Sequence, residues 1–291
     1  MSVDVANVLN LVLAGVLTGL VYGLMALGLS VIFGVVRVVN FAHGEMMTIA
    51  MYATVMLFTA LNLDPFLAVF PVAAGFFVFG YLLQAGLINP FVTRPEHTQF
   101  MLLVALAMIL VNLLLMIFGP DARNVQLDYL LESIELGPLL IDRGKLYAAL
   151  VACATAAAFF LFFKYALLGK AIRACADNYL GGKVVGLNVK RLYALTFGLG
   201  SACLAVAGCM MVLLVDVTPV LGPSYTLLAF VIVIVGGLGS MAGALLGGVL
   251  IGVSEALAGL YFTPSAKSMF SFALLILVLL FRPQGLLGKR P

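Results

Sequence analysis

The sequence predicts an all-α fold, a polytopic transmembrane helical bundle with eight or nine spans. Of the 291 residues, 64% are hydrophobic and 9% are charged, whereas soluble domains are about 45–50% apolar and about 25% charged. The mean hydropathy is +1.22. Several apolar runs approach or exceed the roughly 20 residues that cross a bilayer as a helix, and barrel strands would instead be short and alternating. Since no polar stretch could enclose a soluble core, residues 1–291 are expected to form a single transmembrane domain.

Hydropathy, together with Gly and Pro positions, places nine spans along the chain. They lie near 8–35, 43–62, 66–88, 98–118, 146–166, 191–215, 224–238, 242–261 and 267–281. Merging two of the short spans would leave eight and would move one terminus to the other side.

The distribution of lysine and arginine favours an N-terminus outside the cell and a C-terminus in the cytoplasm. In that orientation eleven basic residues face the cytoplasm: Arg37, Arg94, Lys164, Lys170, Arg173, Lys183, Lys190, Arg191, Arg282, Lys289 and Arg290. Four face outward: Arg123, Arg143, Lys145 and Lys267. The reverse orientation would invert this bias.

Two connections between spans are long enough to have structure of their own. The external loop 120–145 carries five acids and three bases. Within it, Glu132–Asp142 reads as two short β-type runs around Gly137-Pro138, which is typical of a small hairpin. The loop 164–191 has six bases and one acid, which predicts a cytoplasmic location.

Small residues indicate where helices approach closely, because packing at glycine drives association in lipid. The first span repeats glycine at Gly15, Gly19 and Gly23, and residues 235–252 contain seven glycines. Close packing explains both runs. The second run also interrupts an apolar region, and short glycine-broken segments are how transporters build binding regions from helix ends. We therefore expect broken helices near 37–48 and 235–243, with Gly236, Gly237 and Gly239 as candidates for the transport path.

The polar stretch Arg37–Thr48 is the second candidate region. Asn40 is an acceptable N-cap for the second span, Gly44 loosens the backbone, and Glu45 suits the positive end of a helix. Such capping would not explain His43. Because ionisable groups inside a membrane are costly and usually face a partner or a cavity, our hypothesis is that His43 and Glu45 hold the start of this span against another span near the path. An interfacial cap and direct solute contact are the alternatives.

Other ionisable and sulfur-containing residues have simpler explanations. Glu255, toward the outer end of the eighth span, is expected to be structural, through snorkelling or pairing with Ser254 and its neighbours. The four cysteines, at 153, 175, 203 and 209, lack metal-ligand spacing and are expected to be small buried hydrophobes.

The cytoplasmic loop has a helical pattern of its own. Ala166–Leu180 is compatible with a helix that stops at Gly181-Gly182, and a second short helical turn through Val184–Gly186 leads back to the membrane. Such a helix suits a groove on another protein. A solvated basic loop that follows the positive-inside rule would have the same composition.

Three motifs together resemble one family. The segment 169–197, "GKAIRACADNYLGGKVVGLNVKRLYALTF", resembles the cytoplasmic loop of LivH/LivM-type branched-chain amino acid permeases of ABC importers. "NFAHGEMMTIAMY" resembles the family's signature at its second span, and "VIVIVGGLGSMAGALLGGVLIGVSEAL" resembles its C-terminal glycine-rich segment. The three occur in order, the likeness covers essentially the whole chain, and it is greatest for the LivH-like branch.

The resemblance implies a multi-pass subunit of the bacterial inner membrane with several partners. A soluble periplasmic binding protein would capture the solute, and this chain would form the path in the lipid bilayer with a second, LivM-like permease. Two ABC ATPase subunits would grip the cytoplasmic loops. The coupling-loop motif is occupied here by Gly169, Lys170, Arg173, Ala174, Asp177, Asn178 and Gly186. The chain itself should bind no nucleotide, because a P-loop ending at Gly169-Lys170 would need Gly at 164 and Ser or Thr at 171.

Other functional classes fit the sequence less well. It has no HExxH or GxSxG motif, so we expect no enzyme activity, catalytic residue, metal, cofactor or nucleic-acid partner. An ion-coupled secondary transporter would place several ionisable groups at mid-membrane. Leucine, isoleucine and valine are the substrates that the resemblance implies, and urea or short amides are the alternative.

Overall fold

The computed structural model describes residues 3–127, 129, 132–137, 139–261 and 267–288. Pro138 of the predicted hairpin turn and two of the predicted cytoplasmic cations, Lys289 and Arg290, lie outside the described residues. Apart from one hairpin, the described chain is built of helices, as the sequence predicted.

Four long helices form the first half. They are α1 (Val3–Val36), α2 (His43–Leu61), α3 (Pro65–Leu82) and α4 (Glu96–Phe118). A π-helical segment, Leu83–Ile88, and a 3-10 turn, Asn89–Phe91, extend α3 toward α4. Asn62, in a left-handed conformation at φ 49°, ends α2. Asp64 is the N-cap of α3, and its side chain accepts a 2.9 Å hydrogen bond from the Phe66 N–H. Pro65 occupies the first helical position, where its lack of an N–H does no harm.

A hairpin and a pair of short helices occupy the two long connections. Strands β1 (Ser133–Leu136) and β2 (Leu139–Asp142) are antiparallel, with Ser133 opposite Asp142. Helix α5 (Arg143–Tyr165) follows directly, capped by Asp142, whose carboxylate accepts a 3.0 Å hydrogen bond from the Lys145 N–H. Helices α6 (Leu167–Asp177) and α7 (Tyr179–Val184) form the second connection.

The last part of the chain contains the broken helices. Helix α8 (Val189–Met211) begins at Asn188, which caps it, and a 3-10 turn, Pro219–Leu221, leads into α9 (Gly222–Gly236). Helices α10 (Met241–Tyr261) and α11 (Lys267–Phe281) complete the described structure. The interruptions at 37–42 and 237–240 fall inside the two predicted breaks.

Two expectations about local helix boundaries were wrong. Gly181-Gly182 does not stop a helix: α6 ends at Asp177, Asn178 is extended at φ −145°, and its side chain caps α7 by accepting a 2.8 Å hydrogen bond from the Gly181 N–H. Asn40 is not the N-cap of α2. Ala42 occupies that position without a side-chain cap, and Asn40 instead accepts a 3.1 Å hydrogen bond from the Ala42 N–H in a turn before the helix.

Helices α1 and α8 form the centre of the bundle. In the most apolar 18-residue windows, 78% of α1 and 83% of α8 are buried, against 22% in α4 and 28% in α5, so the latter two present most of their surface to lipid or to a partner. The glycines of α1 pack on α10: a Cβ added at Gly19 would lie 2.7 Å from the Gly248 carbonyl oxygen, and one added at Gly15 would lie 2.8 Å from that of Gly252. This close, antiparallel contact lets two backbones meet without side chains between them.

Within the described residues, eight helical segments are long and apolar enough to cross a membrane, and Ser268–Phe281 is a shorter apolar helix. After α11 the chain returns to the end of α9, where the Leu286 N–H donates to the Val235 carbonyl oxygen at 2.9 Å and the Leu287 N–H to that of Gly236 at 2.9 Å. Since α10 starts beside this point and runs away from it, α11 must traverse the bundle in the opposite direction.

Candidate functional site

The N-termini of α2 and α9 meet inside the bundle. The backbone N–H of Gly44 donates a 2.8 Å hydrogen bond to the Thr226 hydroxyl, and that hydroxyl donates a 2.9 Å hydrogen bond to Glu45 Oε2. Gly44 lies against the backbone of Gly222, where an added Cβ would overlap the carbonyl oxygen. The contact therefore joins two helix starts that are about 180 residues apart in sequence. We call Gly44, Glu45, Gly222 and Thr226 the helix-start junction.

Glu45 is 3% exposed, and its carboxylate lies at the positive end of α2. The Thr226 hydroxyl and the dipole of α2 together stabilise it there. The sequence signals that indicated a helix start at Glu45 did not indicate its partner, because nothing local points to Thr226.

His43 holds the same helix start to α1. Its Nε2 donates a 3.1 Å hydrogen bond to the Met25 carbonyl oxygen, and the side chain is fully buried. Nδ1 has no hydrogen-bond partner within the described part of the chain. Met25 lies eleven residues before the end of α1, about 16 Å along the helix axis at 1.5 Å per residue. The segment 37–42 therefore folds back along α1, and α2 begins inside the bundle rather than at its surface.

An aromatic cluster at this fold-back was missed by the sequence reasoning. The Phe41 ring lies 4.7 Å from the Phe100 ring of α4 and 5.0 Å from the Phe230 ring of α9. Phe41 lies within the polar stretch 37–48, and nothing in that stretch indicated which aromatic rings it would contact.

The second break lies between α9 and α10. Gly237 and Gly239 adopt φ values of 107° and 77°, which are open to glycine and strained for other residues. Gly236 packs on the backbone of Gly243, and the C-terminal segment 285–288 closes over the break through the bonds to Val235 and Gly236.

The structure does not bring the two candidate groups into one site. Gly44 lies at the first turn of α9, and Gly236 is the last residue of α9, about 21 Å further along that helix. Asn40, His43 and Glu45 are all buried among other residues of this chain. Direct contact between any of these residues and a solute stays a prediction.

Glu255 has a hydrogen-bond partner on a neighbouring helix. Its Oε1 accepts a 3.0 Å hydrogen bond from the Ser271 hydroxyl of α11. This places it as a link between α10 and α11.

The loop 164–191 forms a separate pair of short helices at the end of α5. One face of α6 turns inward: Ile172 and Cys175 are buried, and Gly169 lies against the backbone of Phe162 and Phe163. Burial raises the pKa of the Cys175 thiol above its usual value.

The outward face of these helices carries most of the predicted coupling residues. Lys170, Arg173, Ala174, Asp177 and Asn178 are exposed, and Gly186, at φ 83°, ends the turn after α7. Large apolar side chains are exposed beside them, among them Leu180 at 70% and Val184 at 87%. We call this surface the α6–α7 face.

Across the described ranges, no three His, Cys, Asp or Glu side chains are grouped so that they could hold a metal ion.

Comparison with known proteins identifies relatives that align along almost the whole chain. The permease LivH of the high-affinity branched-chain amino acid transport system from Salmonella typhimurium is 31% identical, over 94% of each chain. The permease BraD from Pseudomonas aeruginosa is 31% identical, over 98% of this chain and 97% of BraD. A probable LivH from Methanocaldococcus jannaschii is 26% identical, over 91% and 88%.

A solved structure has the same general fold. PsaBC from Streptococcus pneumoniae in complex with Fab aligns over 93% of this chain and 91% of that chain, with 16% identity and a TM-score of 0.50.

A family model described as "Branched-chain amino acid transport system / permease component" matches residues 11–279. All three relatives are named as permease proteins of transport systems, which agrees with the expectation of a transport subunit rather than an enzyme. The eight long apolar helices, together with these relatives, make the chain a multi-pass protein of the inner membrane. Because this family model covers most of the chain, the chain belongs to the permease component family of branched-chain amino acid transport systems.

Proposed function

We propose that this chain is the LivH-like permease subunit of an ATP-driven importer for leucine, isoleucine and valine. The relatives that align over nearly the whole chain carry that substrate in their names. A second, LivM-like permease completes the path, a soluble binding protein delivers the solute from outside, and two separate ATPase subunits hydrolyse ATP.

The α6–α7 face is the observation that carries the coupling role. It lies at the end of α5, exposes apolar side chains such as Leu180 and Val184, and mixes them with Lys170 and Arg173. Exposed apolar side chains beside charges are typical of a surface that another protein covers. Because α6 rests on the end of α5 through Gly169, movement of a bound ATPase would reach the membrane helices directly.

The helix-start junction gives the path a rigid wall. Two helices start inside the bundle, and the His43–Met25 and Glu45–Thr226 hydrogen bonds fix them to their neighbours. Our proposal assigns these residues to holding the shape of the path, and the solute selectivity to the binding protein.

Mutation of the α6–α7 face tests the coupling role. Leu180→Glu places a charge on an exposed leucine of α7, and Leu287→Glu, 45% exposed in the C-terminal segment, is the control. Burying an unpaired charge at an interface costs several kcal/mol. We therefore expect the Leu180→Glu chain to lose ATPase subunits at least tenfold on co-purification, while Leu287→Glu retains them.

The substrate is tested in the assembled complex in sealed vesicles. ATP hydrolysis should rise when the binding protein is added with leucine and stay at the basal rate when it is added with urea. Stimulation by urea alone would assign the other solute class. Uptake by the lone chain without ATP would instead show an ion-coupled transporter.

A further inference from the structure

Two cavities lie end to end along one face of α5. The first, about 240 Å³, lies between α1, α5 and α10, and its walls are Leu20, Leu245 and the face of α5 from Ala152 to Phe160. The second, about 450 Å³, continues from Phe160 to Lys164 and Arg173, with Met241 of α10 on its far wall. Phe160 lines both cavities, so they form one groove, which we call the α5 groove.

The position of the α5 groove matches one leaflet of a bilayer. From Ala152 to Lys164 the chain advances twelve residues, about 18 Å along the helix. Half of a hydrocarbon core about 30 Å thick is about 15 Å. The apolar cavity lies toward the middle of α5, and the cavity with the two cations lies at its end, so depth and polarity change together.

The charges at the mouth select an anionic group. Lys164 and Arg173 are both exposed, and no carboxylate belongs to the described lining of either cavity. The Lys164 ammonium lies 5.2 Å from the centre of the Tyr165 ring, which keeps it at the groove. Basic pockets between helices at the cytoplasmic surface are suited to phospholipid headgroups.

We propose that the α5 groove binds an anionic phospholipid, with one acyl chain between α1, α5 and α10 and the phosphate between Lys164 and Arg173. A free anion would use only the second cavity and would leave the apolar one without an occupant. Lipid occupancy needs only the folded chain in a bilayer and is therefore measured on this chain alone, although Arg173 also belongs to the α6–α7 face of the proposed transport function.

Tryptophan fluorescence gives a direct test, because the chain contains no tryptophan. Leu161→Trp places a reporter in the second cavity. The matched control is Leu277→Trp. Leu161 is 56% exposed and Leu277 is 55% exposed. Each precedes the end of its helix by four residues. Arg282 follows Leu277 by five residues in sequence and Lys164 follows Leu161 by three, so each tryptophan lies near a basic residue in sequence.

The full chain is reconstituted in phosphatidylcholine vesicles that contain brominated phosphatidylglycerol, and then in vesicles in which the phosphatidylcholine is brominated instead. Bromine quenches the fluorescence of a tryptophan that it contacts, so the preference is the quenching by brominated phosphatidylglycerol divided by the quenching by brominated phosphatidylcholine. We expect this ratio to be at least threefold higher for the L161W chain than for the L277W chain. Adding Lys164→Gln to L161W should remove the preference, whereas Lys145→Gln, at the other end of α5, should leave it unchanged.

Several results would overturn the proposal. The first is an equal preference at the two tryptophan positions. The second is loss of the preference in excess inorganic phosphate, which would indicate a free-anion site. The third is loss of the preference on assembly with the ATPase subunits, which would indicate a protein contact. A second readout avoids the tryptophan substitution. Cys153 lines the first cavity and is exposed, whereas the other three cysteines are buried. Phosphatidylglycerol should slow maleimide modification of Cys153 in the unsubstituted chain and should not do so in Lys164→Gln.

Discussion

Gly44 is the residue at which α2 and α9 come closest. An added Cβ would overlap the backbone of Gly222 and would lie 2.7 Å from the Thr226 hydroxyl oxygen. Because both neighbours are held by helix backbone, neither can move aside cheaply. We expect Gly44→Ala to separate the two helix starts and to destabilise the protein by about 1–3 kcal/mol, as overpacked sites do. Thermal unfolding in detergent measures the loss as a lower midpoint.

Gly75, in α3, is the matched control for that substitution. A Cβ added there meets nothing within 4 Å, and alanine is favoured over glycine inside a helix by about 1 kcal/mol. Gly75→Ala should therefore unfold at the same temperature as the parent chain or slightly higher. An equal midpoint for Gly44→Ala and Gly75→Ala would show that the helix-start junction contributes no stability.

Local chemistry was predictable at Glu45 and His43 but not at Asn40, which is not the N-cap of α2, and long-range partners were not predictable. The sequence indicated a helix start at Glu45 because an acid suits a helix N-terminus. It also indicated that His43 needs a partner, since burial of an unpaired polar group is costly. It could not supply Met25 or Thr226, because these partners lie 18 and 181 residues away and nothing around them differs from ordinary span residues.

Among the helices, the contact between α1 and α10 depends most on residue size. The first-span glycines were predicted to pack closely, and they meet Gly248 and Gly252 of α10. The register within α10 could not be predicted: Gly243 and Gly247 pack on Gly236 and Ile232 of α9 instead. Two rows of glycines on α10 therefore pack on two different helices, and only the three-dimensional structure shows which row packs on which helix.

Gly248 tests how far α10 depends on that contact. A Cβ added there would overlap the backbone of Gly23 and lie 2.6 Å from the Gly19 carbonyl oxygen. We expect Gly248→Leu to push α10 away from α1 and to reduce the monodisperse fraction after detergent extraction severalfold. Ala242→Leu adds the same side chain at an exposed position of α10 and should be extracted like the parent. Equal extraction of the two variants would mean that α1 and α10 can separate without loss of the fold.

At the scale of the whole molecule, two ends of the bundle differ in kind. One end carries the β1–β2 hairpin and the ion pair in which Arg143 donates to Glu132 at 2.6 Å. At the same end, backbone hydrogen bonds between Arg123 and Val217 join the segment after α4 to the segment after α8. The other end carries the α6–α7 face, the break between α9 and α10, and the C-terminal segment. The α5 groove opens at this second, basic end. The proposed coupling surface and the proposed lipid site therefore share one side of the membrane.

The sign of charge predicts which end faces the cytoplasm. Positive residues concentrate around the loop 164–191, where six bases accompany one acid, and basic loops are retained inside the cell. The prediction is tested with Glu135→Cys on the exposed hairpin strand β1 and Lys170→Cys on the exposed side of α6. Both are made with Cys153→Ala, which removes the one exposed native thiol among four and leaves three buried ones. In intact spheroplasts a membrane-impermeant maleimide should label Glu135→Cys and spare Lys170→Cys, and lysis should expose both. The reverse pattern would place the α6–α7 face outside the cell, where no ATP-driven partner could reach it.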